Sequence, residues 1–566
     1  MSRRRRRSTP QPNGTLRPMA GWNFADVWET IAGTVPDAPA LAHGDRRVSW
    51  SELDHRADGV AHALIAAGTA QQDKVAQYLY NANEYLESVF ACFKAGLVPV
   101  NTNYRYTDDE LAYLWDNSDT VAVMFHGAFA DRVASVRDRV PNVRLWLWVD
   151  DGSGPCPPWA TPYEAAATAG TAVGSTADGG AHAVAPWGRS GDDIYMLYTG
   201  GTTGMPKGVM WRQHDLYRLL SESTMHDPDE PDLDAVRKRI TRPGPITLPA
   251  CPLMHGTGAF SSFGILSLGG SVVTLTNRRF DIAELLDTIE REGVNSIAIV
   301  GDAFAKPMLD ALDANPERWD ISSLYIVLSS GVMWSEATKQ GLLRHRPSMM
   351  LVDVFSSSEA LGMGQSISGG TSATATAKFV LGERSRVLTD DGRDVQPGSG
   401  ETGMVALRGL GPIGYYKDAE KTARTFRVID GERYSIPGDY ATVEADGTLR
   451  VLGRGSVCIN TGGEKVYPEE VEEVLKEHPT VRDAVVVGIP DDRFGEVVCA
   501  WIEPSGDAVD GGGLDEDALI AHAKTRLAGY KAPRHVLSTT SIGRSPAGKV
   551  DYARLKREAA AAIGPS

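Results

Sequence analysis

The chain has 566 residues and a formal net charge of −16, so the basic footprint of a nucleic-acid binder is absent. That length exceeds one hydrophobic core, which predicts two or more domains, and the 42% apolar fraction is that of a soluble globular protein. No run of about 18 apolar residues occurs, which excludes a spanning helix.

Arg3 to Arg7 make a basic N-terminus. The stretch after them is not apolar, which excludes a twin-arginine signal, and 1–22 reads as a disordered tail. Met19 is an alternative start, just ahead of the periodic pattern that begins at Trp22. Helical spacing then covers 23–32, and 39–50 reads as a hairpin turning at Gly44 and Asp45. Ser49 with Glu52 forms a capping box for a helix to about Ala66. A strand at 75–80 precedes a helix at 84–95, stopped by Gly96. Thr107 with Glu110 opens a further helix, and strands follow at 121–125 and 143–149. This alternation predicts parallel βαβ units. Residues 150–191, rich in Gly, Ala, Pro and Thr, read as a long surface connection.

A strand at 193–197 leads into 198–208, YTGGTTGMPKG. Gly200, Gly201 and Gly204 let successive backbone N–H groups converge on one point. The hydroxyls of Thr199, Thr202 and Thr203 add donors, and Lys207 adds a charge, so the loop suits a polyphosphate. It is not a Walker A loop: no Gly-Lys-Ser/Thr closes it, and Pro206 precedes the lysine. Residues 212–223 have helical spacing, and 227–239 read as a charged insertion, a solvated helix or loop. The βα alternation resumes with strands at 246–250, 271–276, 296–300, 324–329 and 350–355. Ligands gather at the carboxyl ends of such strands, which singles out the loops at 252–258, 301–302, 329–332 and 355–359. Gly256, Gly258, Ala259, Gly301, Ala303 and Gly331 are small residues there that leave room for a bulky apolar molecule. From 382 to 452 short strands between Gly and Asp turns predict a β-rich subdomain.

The fold class is therefore α/β. A large N-terminal domain, 23–453, combines βα-sheet subdomains with a small β-rich subdomain. A small α+β domain, 454–566, is hinged near 454–456. Cys92, Cys156, Cys251, Cys458 and Cys499 have neither metal-ligand nor disulfide-framework spacing, which fits the reducing cytoplasm.

YTGGTTGMPKG resembles the phosphate-binding signature of the adenylate-forming superfamily: acyl-CoA synthetases, adenylation domains and luciferases. Gly200 stands where members usually carry serine. DVFSSSE at 353–359, YSIPGDY at 434–440, the glycine-rich run at 453–475 and SPAGKVDY at 545–552 are similar to further superfamily motifs, in the same order. The resemblance implies a nucleotide segment containing Asp353, Phe355, Ser358 and Glu359. Phe355 would lie flat on adenine and Glu359 would meet Mg²⁺ beside the phosphates. Phe355 and Ser358 replace the usual Tyr and Thr. Asp439 would offer two oxygens to the ribose hydroxyls, and Arg454 would lie near ribose and phosphate. Lys549 would reach the reacting centre. Gly462, Gly463 and Lys465 would line the CoA tunnel, His255 the mouth of the acyl pocket, and Ser456 would occupy the hinge position, usually Asp or Lys.

The implied reaction joins a carboxylic acid to AMP using ATP, releases pyrophosphate, and then passes the acyl group to CoA. With no G-x-S-x-G elbow and no carrier domain, free CoA is the expected thiol. Longer matches, including YTGGTTGMPKGVMWR, MHGTG, GYYKD, AGYKAPR and RSPAGK, resemble the actinobacterial sterol side-chain carboxylate–CoA ligases. They imply a steroid acid such as 3-oxocholest-4-en-26-oate. FSSSEALGMG departs from that group's usual SSETG run, which keeps a medium- or long-chain fatty acid as an alternative. An acyl-AMP ligase that loads a carrier protein, and a non-catalytic binding protein, are the readings from other classes. A homo-oligomer is left open.

Overall fold

The computed structural model describes residues 21–169, 182–183, 185–199, 205–224, 230, 232–332, 334–370, 372–461, 464–491, 494–505, 514–545, 548 and 550–564. The basic tail with Met19, the loop residues Gly200 to Gly204, the pair Gly462 and Gly463, and Lys549 lie outside the described residues.

Two sheets build the N-terminal domain. In the first, strands Lys74–Tyr78, Val98–Asn101, Thr120–His126 and Leu145–Val149 run parallel. Ile194–Thr199 joins beside Val98–Asn101 and returns antiparallel as Lys207–Arg212. In the second, Pro39–His43, Ser271–Thr274, Ile246–Pro249, Ser296–Ile299, Ile326–Ser330 and Met350–Ser357 are parallel neighbours. Met350–Ser357 then pairs antiparallel with Ala360–Gly369, and the β-rich part continues from that strand. The β-rich part is thus joined to the parallel sheet by unbroken hydrogen bonding, a link made by a strand that the sequence pattern did not mark.

Local chemistry sets the helix boundaries. Ser49 Oγ accepts from Glu52 N at 3.2 Å and starts Trp50–Ala66. Thr107 and Glu110 exchange both bonds of a capping box at the start of Asp108–Asn117. Gly96, at φ +61°, turns the chain out of Asn83–Lys94. Phe24, Trp28, Phe93 and Phe263 meet in the core, with the Phe24 and Phe93 rings 5.4 Å apart. Deleting one such buried ring costs about 3–5 kcal/mol.

Three segments differ from the sequence expectation. Within 150–191, the helix Tyr163–Ala169 buries Tyr163, Ala166 and Ala167 against Trp50–Ala66. Arg56 grips Glu164 at 2.8 Å and Glu87 at 2.9 Å, and Gly59 has no room for a Cβ beneath the Ala166 carbonyl. Small residues that look like loop composition are here the means of close packing. In the charged insertion, Leu233–Arg239 is a helix that buries Val236 and packs on Phe24–Thr34. A helix at Glu336–His345, capped by Ser335, escaped the sequence pattern altogether.

The small C-terminal domain centres on the antiparallel pair Val481–Asp491 and Gly495–Pro504, with His535–Ser538 parallel to the second strand. Pro468–Lys476 and Glu516–Arg526 cover one face, and Tyr552–Ile563 covers the other. Among the described residues no helix is long and apolar enough to cross a membrane.

Candidate active site

A cavity of about 1900 Å³ opens at the carboxyl ends of the parallel strands and is closed on one side by the C-terminal domain. Thr199 and Lys207 face each other in the antiparallel pair of Ile194–Thr199 and Lys207–Arg212. The Lys207 ammonium is held by the Asp418 carboxylate. That bond keeps the Asp418 carboxyl below the ordinary range. Asp418 also caps Ala419–Thr425, accepting from Lys421 N at 2.9 Å.

The segment 353–359 runs along the cavity wall. A bulge between Phe355 and Ser357 turns the chain, and Glu359 follows, buried. Three groups fix it. Tyr415 Oη donates to Glu359 Oε1 at 2.6 Å, Ser435 Oγ donates to the Glu359 carbonyl at 2.7 Å, and Trp211 Nε1 donates to the Ser358 carbonyl at 3.1 Å. No described residue donates to the other Glu359 oxygen. The Phe355 ring lies 5.6 Å from Phe379. Asp353 turns its buried carboxyl to Lys339, with Nζ at 3.6 Å. Burial pushes this carboxyl up to about 7, with Lys339 opposing.

Asp439 opens one strand and pairs in register with Arg454 at the end of its neighbour. Arg454 Nε donates to Asp439 Oδ1 at 3.1 Å, while Oδ2 is buried with no partner among the described residues. Burial raises the Asp439 carboxyl and Arg454 opposes the rise. A buried oxygen with no donor costs about 1–3 kcal/mol unless a ligand satisfies it.

Away from 353–359 part of the wall is apolar, formed by Leu220, Phe260, Ile265, Leu268, Ile297 and Leu328, while Glu222, Arg239, Arg242 and Arg384 also line the cavity. His255, Gly256 and Gly331 border it. Gly301 does not reach the wall: it precedes the helix Asp302–Ala314, and its N–H donates to Ser329 Oγ at 3.0 Å. Neither do Gly258, Ala259 and Ala303. An added Cβ on Gly258 would stand 2.6 Å from the Pro252 carbonyl, so this glycine serves loop packing. The room comes instead from Gly264 and Ala298.

The C-terminal domain contributes Glu469, Glu472, Glu473, Lys476 and Arg544. Glu469 presses on Gly453, where a Cβ would collide with its Oε2. Gly548, at φ +69°, approaches Val300 and Val332 so closely that a Cβ would stand 3.2 Å and 3.3 Å from their methyls. Gly548 and Val550, the neighbours of Lys549, both line the cavity. Lys465 pairs with Asn460 in a short hairpin outside that wall, and Gly455–Val457 form one 3₁₀ turn.

Two asparagines escaped the sequence reading. Asn101 donates to the carbonyls of Tyr198 and Met254 at 2.9 and 2.7 Å and accepts from Tyr198 N at 2.6 Å. Asn81 donates to the Cys251 carbonyl and accepts from Leu253 N. Together they tie the end of the strand Ile194–Thr199 and the His255 loop to the first sheet. No spacing in the sequence marks either, because their partners are backbone groups far along the chain.

The chain matches the AMP-binding enzyme family over 28–416 and the AMP-binding enzyme C-terminal domain over 470–549. It is 42% identical over 538 residues to a medium/long-chain-fatty-acid–CoA/3-oxocholest-4-en-26-oate–CoA ligase of Mycolicibacterium smegmatis, covering 94% of this chain and 95% of that protein. It is also 42% identical to a 3-oxocholest-4-en-26-oate–CoA ligase of Rhodococcus rhodochrous, covering 94% of each. The crystal structure of an anthranilate CoA ligase with anthranoyl-AMP superposes with a TM-score of 0.78 at 21% identity, over 96% of this chain and 99% of that one.

Proposed function

The chain belongs to the AMP-binding enzyme family, and from that premise we propose that it is an AMP-forming carboxylic acid–CoA ligase acting on a bulky apolar acid. The reaction first joins the acid to AMP, releasing pyrophosphate, and then transfers the acyl group to CoA, releasing AMP. The observation that carries this reading is Asp439. Its Oδ2, unpartnered among the described residues, and the Arg454 pair stand on the same cavity wall as Phe355 and Glu359. A vicinal diol is the partner that a two-oxygen acceptor suits. ATP therefore fits the residues present.

Each group then has a task. Phe355 offers its face to adenine. Thr199, Lys207 and residues 200–204 hold the phosphates, and Arg454 lies between ribose and phosphate. Asp353 and Ser358 act through position, the first anchoring the strand to Lys339 and the second receiving Trp211. Glu359, whose second oxygen no described residue occupies, fits a hard cation beside phosphate oxygens. Mg²⁺ bound there would supply positive charge to the triphosphate. The acid's carboxylate and the triphosphate repel each other, so cations around both lower the barrier to attack on the α-phosphorus. Lys549 is the residue assigned to the reacting centre, since the residues flanking it already line the cavity. We read this as the adenylating arrangement. Rotation about 454–456, with Ser456 in the hinge, would exchange that loop for Gly462, Gly463 and Lys465 when CoA attacks.

The apolar wall and the relatives' names support a steroid side-chain acid such as 3-oxocholest-4-en-26-oate. The same wall and the first relative's name also support medium- and long-chain fatty acids. None of the five cysteines, all of them described, is joined in a disulfide, which supports a reducing, cytoplasmic setting. Purified protein with ATP, Mg²⁺, CoA and a panel of steroid and fatty acids tests the reading. Acyl-CoA and AMP should appear in equal amounts with at least one apolar acid. Activity confined to small polar acids, or acyl-AMP that never reaches CoA, would refute it.

A further inference from the structure

Lys421 and Arg454 line the cavity, and the charge of Lys207 stands close enough to act on Lys421. Lys207 is held by Asp418 and Arg454 by Asp439. Lys421 differs. Its backbone N–H is tied to Asp418, but among the described residues no carboxylate or carbonyl accepts from its ammonium. The ammonium instead lies 4.2 Å from the centroid of the Tyr415 ring, and Lys421 lines the cavity. Tyr415 is the residue whose hydroxyl holds Glu359, so Lys421 is on the Glu359 side of the site. An aromatic face is a weak counterpart for a half-buried cation. Burial destabilises this ammonium, and Lys207 and Arg454 oppose it further, while Glu359 and Asp418 favour it. A cation so placed is relieved by a polyanion.

We propose that Lys421 contacts the β- and γ-phosphates of ATP and carries the charge of the departing pyrophosphate. This rests on the adenylating reading of the site. In that step a carboxylate oxygen of the acid bonds to the α-phosphorus. The bond from the α-phosphorus to the α,β-bridging oxygen breaks, and pyrophosphate leaves with that electron pair. No proton has to move. The growing negative charge on the bridging oxygen appears where Lys421 meets it. The second step, CoA attack on the acyl-AMP, involves no pyrophosphate and makes no call on this lysine.

That separation defines the test. Wild type, Lys421→Met and Lys421→Arg are assayed for acid-dependent exchange of labelled pyrophosphate into ATP. The same proteins are assayed for thioester formation from synthetic acyl-AMP and CoA. The KM for pyrophosphate should rise about ten- to hundredfold in Lys421→Met, the loss of one charge-assisted hydrogen bond. Lys421→Arg should recover most of it, and thioester formation from acyl-AMP should match wild type in both. Three outcomes overturn the inference: an unchanged KM in Lys421→Met, an arginine variant no better than methionine, or a parallel fall in both half-reactions, which is the mark of a structural role. If wild type itself shows no acid-dependent exchange, the adenylating reading falls and takes this inference with it.

Discussion

Asp439 and Arg454 face each other across two antiparallel strands, with Nε 3.1 Å from Oδ1 and with Oδ2 buried and, among the described residues, unpartnered. The pair is a half-satisfied acceptor that the proposed nucleotide would complete. Asp439→Asn should raise the KM for ATP by about ten- to hundredfold, as expected for losing hydrogen bonds to a charged group. The KM for CoA in the second half-reaction should move much less. Steady-state kinetics with each substrate varied in turn checks this.

Tyr415→Phe removes the hydroxyl that holds Glu359 at 2.6 Å. Glu359 would keep its charge but lose its orientation. The Mg²⁺ concentration needed for half-maximal pyrophosphate exchange should rise roughly tenfold or more. Titration of Mg²⁺ at saturating ATP measures it.

Gly548 stands against Val300 and Val332 at a positive φ. Gly548→Val adds backbone strain and a clash at this one docking contact. Adenylation should fall by more than about tenfold while thioester formation from synthetic acyl-AMP is retained, because the strain belongs to the adenylating arrangement. Comparison of the two half-reactions in one preparation is the measurement.

The contact between Glu469 and Gly453 carries a pH dependence. Burial, with the Glu472 charge second, pushes the Glu469 carboxyl from the ordinary 4.5 up to about 8. If the cap undocks as proposed, the docked form holds a proton that the undocked form releases. Below about pH 4.5 both forms are protonated and docking is unaffected. Between those two values docking weakens as pH rises, and above about 8 the loss is complete. The rate of adenylation relative to thioester formation should fall from about pH 6 to about pH 8, and Glu469→Gln should flatten that trend. Rate ratios across this range give the answer.

Asn101 makes three hydrogen bonds that join the end of the strand Ile194–Thr199 to the His255 loop. Asn101→Ala strands those backbone groups in the interior and should destabilise the N-terminal domain by about 2–3 kcal/mol. Thermal melting with and without ATP checks the loss and shows whether nucleotide restores it.

Much of this was legible from residue order alone. The Thr107–Glu110 pair and Gly96 mark helix ends because capping is local chemistry. The strand read at 193–197 was legible because a buried strand is a short apolar run, although the strand itself continues to Thr199, into the residues read as loop. What stayed hidden depends on distant partners. Lys421 falls in a stretch read only as short strands and turns, and nothing marks it until the helix Ala419–Thr425 sets it against Tyr415. Gly258 and Gly301 read as space-makers, yet one serves close backbone packing and the other precedes a helix. The Ala-rich helix Tyr163–Ala169 reads as a loop because its amphipathic signal is only two turns long. Its burial comes from Trp50–Ala66, about a hundred residues earlier.

The most direct test of the central claim is exchange of labelled pyrophosphate into ATP by the purified wild-type protein with Mg²⁺ present and CoA left out. Label should enter ATP only when an apolar carboxylic acid is added, because only the acyl-AMP step is reversible under those conditions. Exchange that ignores the acid, or cleavage of ATP to ADP in its place, would contradict the account.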